Sequence, residues 1–275
     1  MLNAMETEVR YHMLRPAQVR ARREQCPVVY IPIGTIEWHG PQNPLGADSL
    51  QAEGLALLAA RMGGGLVFPP LYYGESRSES LMEANAEDRE EIAEAMGLSP
   101  DNFLPERQPF SPTEQVLNYQ RLLLHILAEA ETLGFTVGVL VAGHYPLIDH
   151  ARAAAHLFNQ RRHSKRHGML AWACADYLLV RESYPDSGDH AAGWETSHLL
   201  HLHPDTVDLS ALPPRGKPLV GIMVSRMLPQ DSTAEFGKQT LEESARAVVR
   251  EVRHRLDHRD LYRQHGSSMQ EGLGK

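Results

Sequence analysis

The chain has 275 residues, of which 42% are hydrophobic and 23% are charged, a composition that is ordinary for a soluble globular protein with a sizeable core. A formal charge of −8 with 27 basic residues excludes a bulk electrostatic case for nucleic-acid binding. The first residues lack a charged-then-apolar signal, and no segment reaches the roughly 18 consecutive apolar residues of a membrane span, so we expect a cytoplasmic protein.

The first elements predict a buried strand and then a helix. Residues 27–34 (PVVYIPIG) are rich in β-branched side chains and lie between a proline and a glycine, which is typical of a buried strand. Asp48 stands at the expected N-cap of the following helix, and the glycines at 63–65 end it. A second strand is predicted over 66–73 (LVFPPLYY).

The same alternation continues towards the C-terminus. Strands over 136–143 and 168–177 alternate with helices over 114–133 and 147–163, and further elements follow over 190–203, 219–224 and 232–256. Strands separated by helices of this length imply βαβ crossovers. We therefore expect an α/β fold, a single three-layer α/β/α sandwich with a mainly parallel central sheet over residues 1–275.

Residues 74–112 form a polar insertion that interrupts this pattern. The segment is acid-rich and punctuated by prolines, with a short helical pattern near 87–96. A connection of this length inside a compact domain is usually functional or mobile. Two interpretations stay open: a lid or an oligomer arm, and a solvated insertion.

Three possible metal ligands lie close together after the first strand, where residues 31–49 read IPIGTIEWHGPQNPLGADS. Glu37 and His39 are two residues apart, so in extended backbone their side chains project to the same side. A loop rich in glycine and proline can return Asp48 to them. A mixed nitrogen and oxygen set suits Zn²⁺, Mn²⁺ or Fe²⁺ better than Ca²⁺. The alternative is a loop whose acids make turn and capping hydrogen bonds.

Other candidate ligands follow later strands. His144 comes directly after the third strand, Asp176 ends the fourth, and His190 and Glu195 lie just beyond it. Ligands of parallel α/β folds collect outside the carboxyl ends of the strands. These residues therefore predict one metal site at that edge of the sheet.

Three segments resemble signatures of the creatininase (creatinine amidohydrolase) family. They are IPIGTIEWHGPQNPLGADSLQAEG (31–54), AGHYP (142–146) and DHAAGWETSHLLHLHPDTVDLS (189–210), and STAEFGKQTLEE (232–243) adds a weaker match. The resemblance covers about residues 27–73 and 114–250. It implies a creatininase-like fold, a small-molecule substrate and a homo-oligomer, often a hexamer.

The resemblance also implies roles for individual residues. Glu37 and His144 would bind one divalent metal ion, His39 would bind a second, and Asp48 would bridge the two. His190 corresponds to the family's acid/base histidine. The implied reaction is hydrolysis of an amide, cyclic amide or formamide C–N bond by metal-activated water, with His190 passing a proton to the nitrogen.

Departures from the family pattern leave alternatives open. Pro146 stands where creatininase has a metal-binding glutamate, so we expect Glu195 to supply that ligand, the alternative being a helix-first-turn acid that complements the helix dipole. Ala142 replaces an asparagine. Two classes of function therefore stay open. The chain is a metal-dependent hydrolase, with a deformylase and a peptidase that trims a modified peptide as variants, or it is a decayed family member that acts as a scaffold.

Residues next to the predicted ligands have several possible roles. Tyr145 and Trp194 flank predicted ligands and either wall the substrate pocket or serve as plain packing. His198 and His201 share one face of the predicted helix, and we expect that face to be solvated or at an interface rather than to form another metal site. Asp189 is adjacent to His190 and is a candidate for orienting it.

Overall fold

A computed structural model describes residues 8–75, 88–160 and 168–262 of the chain. Within them, four strands form one parallel sheet: β1 (Val28–Ile33), β2 (Leu66–Val67), β3 (Val137–Ala142) and β4 (Leu170–Ala175). The helices are α1 (Pro16–Gln25), α2 (Ala47–Gly63), α3 (Arg89–Ala95), α4 (Pro112–Thr132), α5 (Leu147–Gln160), α6 (Asp176–Leu179), α7 (Gly193–Leu202) and α8 (Ala234–Asp257).

The strands lie in the order β2-β1-β3-β4, and every neighbouring pair is parallel. Alternate residues of β1 face opposite sides of the sheet, as the two-residue period of a strand requires. Val29 and Ile31 join the core formed with α4 and α5, whereas Val28 and Tyr30 join the core formed with α2 and α8. The predicted three-layer α/β/α sandwich is therefore confirmed.

Two local predictions were wrong. The second strand ends at Val67 instead of reaching residue 73, because Pro69 and Pro70 have no backbone N–H to donate to a ladder. Asp48 is not the N-cap of α2; Gly46 takes that position, and Asp48 lies inside the first turn. Its side chain is thereby left available for the site.

The described part of the insertion is packed against the molecule. The helical pattern near 87–96 is confirmed as α3, in which Ile92 and Ala93 are buried beside Trp38. The Asp88 carboxylate also accepts a hydrogen bond from the Gly221 N–H at 2.6 Å. The prediction of a lid or arm falls partly on residues 76–87, which lie outside the described residues.

Two glycines allow the start of α2 to lie directly against the strand ends. A Cβ added at Gly34, just after β1, would lie 2.5 Å from the backbone nitrogen of Ser49. A Cβ at Gly143, just after β3, would lie 2.0 Å from the carbonyl oxygen of Asp48. Because neither contact leaves room for a side chain, glycine brings His144 close to Asp48.

None of the helices in the described ranges is long and apolar enough to cross a membrane.

Candidate metal centre

The loop after β1 carries Glu37 and His39 into the interior. The Glu37 N–H donates to the Leu45 carbonyl at 2.9 Å, which closes the loop, and Gly40 adopts a left-handed backbone conformation with φ 71°. Glu37 and His39 are both completely buried and Asp48 is 1% exposed. The site is therefore a buried one at the carboxyl end of the sheet.

The first cluster consists of Glu37, Asp48 and His144. Nδ1 of His144 lies 2.9 Å from Oε2 of Glu37 and 3.2 Å from Oδ2 of Asp48. One ligand atom from each residue falls within 4.8 Å of the others, which is close enough for all three to share an ion.

The second cluster consists of His39, Asp48 and Glu195. Nε2 of His39 lies 3.0 Å from Oδ1 of Asp48 and 3.5 Å from Oε2 of Glu195. Asp48 thus directs one carboxylate oxygen towards each histidine and belongs to both clusters. Glu195 reaches this position from the first turn of α7, and its Oε2 also accepts the Ala191 N–H at 2.7 Å.

The charges of these residues are poorly compensated by protein groups alone. Both carboxylate oxygens of Glu37 and Oδ2 of Asp48 are buried, and among the described residues they make no hydrogen bond. Burying an unpaired carboxylate costs several kcal/mol or more. The donor set and its orphaned oxygens therefore fit divalent cations.

Mutual electrostatics shift the pKa values of the cluster. Burial disfavours the cation of His39, but Asp48, Glu195 and Glu37 outweigh this effect and raise its pKa to about 10. Burial likewise opposes the charged form of Asp48, yet His39 and His144 hold the pKa of its carboxyl well below the usual range. Burial raises the pKa of Glu195 well above its ordinary value.

His190 lies beside both clusters and forms a third metal-competent group with Glu37 and His39. Its ring centroid is 4.7 Å from that of His39, and its Nε2 is 3.9 Å from Oε1 of Glu37. Nε2 also lies 2.9 Å from the carbonyl oxygen of Trp38, which can only accept a hydrogen bond. Burial, and then the charge of His39, lower the pKa of His190. The next residue, Ala191, has a left-handed φ of 57°, and its N–H donates to Glu195.

A cavity of about 460 Å³ opens onto the site. Glu37, Asp48, His144, His190 and Glu195 line it on the metal-competent side, and Tyr145, Tyr177 and Arg181 are among the other lining residues. Tyr145 therefore lies at the predicted pocket.

Trp194 does not line this cavity. Its indole N–H donates to Oδ2 of Asp176 at 2.7 Å, and its ring packs against Tyr184 and Phe236 beside a neighbouring cavity of about 420 Å³. Its position agrees with the packing interpretation rather than with the pocket. The same hydrogen bond holds Asp176, which belongs to none of the three metal-competent groups in the described part of the chain.

Two further assignments differ from the sequence-based expectation. Asp189 does not orient His190; its carboxylate accepts the Trp194 N–H at 2.6 Å and the Glu195 N–H at 3.3 Å, so it caps α7. His198 is completely buried rather than solvated or at an interface, and its ring nitrogens contact Gln51 and Thr240.

Glu75 was not identified from the sequence. It is 1% exposed, and its Oε1 lies 3.8 Å from Nε2 of His144. Its position just beyond residues 66–73 follows the same strand-end rule as the other candidates. The strand-end rule could have predicted Glu75. It was missed because Glu75 lies at the start of the acid-rich insertion, among several other acidic residues.

Comparison with known proteins identifies the family of the chain. The family model described as "Creatininase: Creatinine amidohydrolase" matches residues 12–96 and 113–252. The chain belongs to the creatininase family. It is therefore a hydrolase of the amidohydrolase type.

Individual relatives are more distant. Over 68 residues the chain is 35% identical to the 3-dehydro-scyllo-inosose hydrolase of Thermotoga maritima, a match that covers 25% of this chain and 22% of that relative. The structure is similar to a creatininase structure described as the Mn form (TM-score 0.65) and to a Zn–Zn form of a creatininase variant (TM-score 0.66). Each is 20% identical and covers 90% of this chain and 98% of its own. At this identity the likeness establishes the fold.

Proposed function

We propose that this creatininase-family member hydrolyses a C–N bond, in an amide, cyclic amide or formamide, of a small-molecule substrate. One observation carries the proposal: Asp48 directs its two carboxylate oxygens to His39 and to His144, 3.0 Å and 3.2 Å away. A carboxylate between two histidine-containing clusters is suited to joining a pair of divalent ions. The cavity over these residues has room for a small substrate.

In this proposal Glu37, Asp48 and His144 hold one divalent ion, and His39, Asp48 and Glu195 hold the other. Nitrogen and carboxylate donors suit Zn²⁺, Mn²⁺ or Fe²⁺, and the Mn and Zn–Zn forms of the structural neighbours support this choice. When bound, such ions supply activation of a water molecule and polarisation of the scissile carbonyl.

Glu195 takes the role for which Pro146 has no side-chain donor. Its Oε2 lies 3.5 Å from Nε2 of His39, and the Glu195 side chain is 3% exposed. The hydrogen bond from the Ala191 N–H orients this carboxylate towards His39. This contact supports a complete second set of ligands and weighs against the decayed-scaffold alternative.

His190 acts as the general acid and base. The Trp38 carbonyl accepts a hydrogen bond from Nε2–H of His190, which orients the ring beside Glu37 and His39. The imidazole takes a proton from the attacking water and returns it to the departing substrate nitrogen. Tyr145 and Tyr177 provide a flat wall beside the reacting groups, with ring centroids 4.3 Å apart.

Metal analysis joined to a substrate screen tests the proposal. The purified protein, reconstituted with Zn²⁺ or Mn²⁺, is measured for metal content and assayed with lactams, formamides, short amides and peptides. We expect about two ions per chain and turnover of a C–N substrate. His39→Ala should lower both, whereas His125→Ala, at an exposed histidine of α4, should lower neither.

Other outcomes have defined meanings. A reconstituted protein without metal would support a scaffold role and refute the proposal. A single ion that needs Asp48 but not His39 would refute the bridged pair. Cleavage confined to peptides would indicate the peptidase alternative. The homo-oligomer and the cytoplasmic location remain predictions, which light scattering and cell fractionation can check.

A further inference from the structure

Glu75 is a buried carboxylate whose charge no other described group neutralises. It is 1% exposed, and neither of its oxygens makes a hydrogen bond within the described part of the chain. The nearest charged or chargeable group given by the structure is Nε2 of His144, at 3.8 Å from Oε1. A buried polar group that lacks protein partners calls for a physical explanation.

We infer that Glu75 is a positioning residue for His144: its carboxylate faces Nε2 of the imidazole at 3.8 Å, favours the Nε2–H tautomer through its charge and so presents Nδ1 to the metal site. This inference rests on the proposed function, in which His144 is a ligand. A metal-binding histidine almost always donates its other ring N–H to a carboxylate, carbonyl or water, which sets the tautomer and raises the basicity of the ligand nitrogen.

The two sides of the His144 ring support this assignment. Nδ1 lies 2.9 Å from Glu37 and 3.2 Å from Asp48, whereas Nε2 faces Glu75. The two nitrogens point in divergent directions, so Glu75 is not placed to share the ion with Glu37 and Asp48. Its role is therefore to orient His144 and not to bind the metal directly.

A purely structural role fits the surroundings less well. Asp189, a buried acid with a structural role, accepts two backbone N–H groups of α7. Glu75 has no comparable donors among the described residues. Asp189 and Glu75 are both buried. Glu75 differs because it faces the imidazole of His144, whose other nitrogen belongs to the site.

The chain holds Glu75 in place through contacts with the end of β1. The Leu71 N–H donates to Pro32 and the Leu71 carbonyl accepts from Gly34, both at 3.0 Å. A Cβ added at Gly74 would lie 2.8 Å from the side chain of Thr35, so the backbone before Glu75 runs directly against the loop that carries Glu37. The backbone before Glu75 is thus in contact with the loop of Glu37, which is the proposed partner of His144 in metal binding.

The test measures metal affinity and the state of His144 in Glu75→Ala and Glu75→Gln. Glu94→Ala, which removes an exposed acid of α3, is the matched control. Zn²⁺ and Mn²⁺ are titrated into the metal-free full chain in competition with a chelator, and the tautomer of His144 is read from its ¹⁵N chemical shifts. Neither readout depends on turnover.

We expect Glu75→Ala to weaken one of the two ions by about 100-fold and Glu75→Gln by about tenfold, because the amide keeps an acceptor but loses the charge. The other ion should change by less than about threefold, the control should match the wild type, and the Nε2–H tautomer of His144 should be depleted in Glu75→Ala.

Contrary results are distinct from one another. Wild-type protein that binds two ions, with Glu75 variants of unchanged affinity, would overturn this inference alone. Equal weakening of both ions together with a lower melting temperature would also overturn it, by indicating general destabilisation. Wild-type protein that binds no ion would overturn the proposed function as well. Where Glu75→Ala fails to fold, Glu75→Gln decides, and an unchanged affinity there refutes the inference.

Discussion

Acidification is expected to destabilise the layer that carries Asp48 and Glu195, through the buried His198. Its Nδ1 lies 3.1 Å from Gln51 of α2, and its Nε2 lies 2.9 Å from Thr240 of α8. The residue therefore connects α7 to the two helices beside it. Burial lowers its pKa to about 3.

The sign and size of the effect follow from linkage. The pKa of His198 is about 3 in the folded chain, against an ordinary value of about 6.5. Between these two pH values the unfolded chain binds a proton at His198 and the folded chain does not. The contribution to stability is complete above the unfolded pKa and is lost as the pH falls, by at most about 1.4 kcal/mol per pH unit and about 5 kcal/mol in all. Asp176, with Oδ2 at 3.6 Å from Nδ1, would stabilise a protonated ring and reduce this loss.

Urea unfolding of the wild type and of His198→Gln, followed by tryptophan fluorescence between about pH 7 and about pH 4, measures the effect. Glutamine keeps hydrogen-bonding groups but does not titrate, so the free energy of unfolding of the variant should fall less steeply with decreasing pH. His125→Gln controls for loss of an exposed histidine. Parallel slopes for wild type and His198→Gln would refute the reasoning.

Three substitutions at the site give further expected outcomes. His39→Ala should reduce the metal content by one ion per chain and abolish hydrolysis while the protein still folds, which elemental analysis and circular dichroism check; unchanged metal content would contradict the ligand role. Glu195→Gln should weaken the same ion in a chelator titration yet keep the Ala191 hydrogen bond and the melting temperature, and an unaltered affinity would return Glu195 to a dipole role. Gly143→Ala places a methyl group against the Asp48 carbonyl, where a Cβ would be 2.0 Å away. The free energy of unfolding should therefore fall by about 1–3 kcal/mol or more. A variant of native stability and metal affinity would be inconsistent with that contact.

Much of the fold and the site was predictable from sequence because both depend on local patterns. Buried parallel strands are continuous apolar runs, and β1 and β3 are found where those runs occur. The strand-end rule predicted that Glu37, His144 and Glu195 would lie near one another, and all three line the same cavity.

Other features depended on the environment of each side chain. The polar appearance of the α7 histidines suggested solvent, yet His198 is buried between α2 and α8, which are adjacent to α7 only in the folded chain. Asp189 caps a helix instead of orienting its neighbour, because the first turn of α7 offers it two N–H groups. Glu75 was overlooked because it lies in the acid-rich insertion and approaches His144, 69 positions away in sequence, only in the folded chain.

The sequence by itself determined the α/β class, the order of the strands along the chain and the chemical types of the donors, since periodicity and residue identity are local properties. Only the tertiary structure decided which donors meet, that Asp48 faces two histidines and that Glu195 approaches His39. The physical reason is that these contacts depend on how closely helices and strands pack, at Gly143 above all, and the separations are set when the layers assemble.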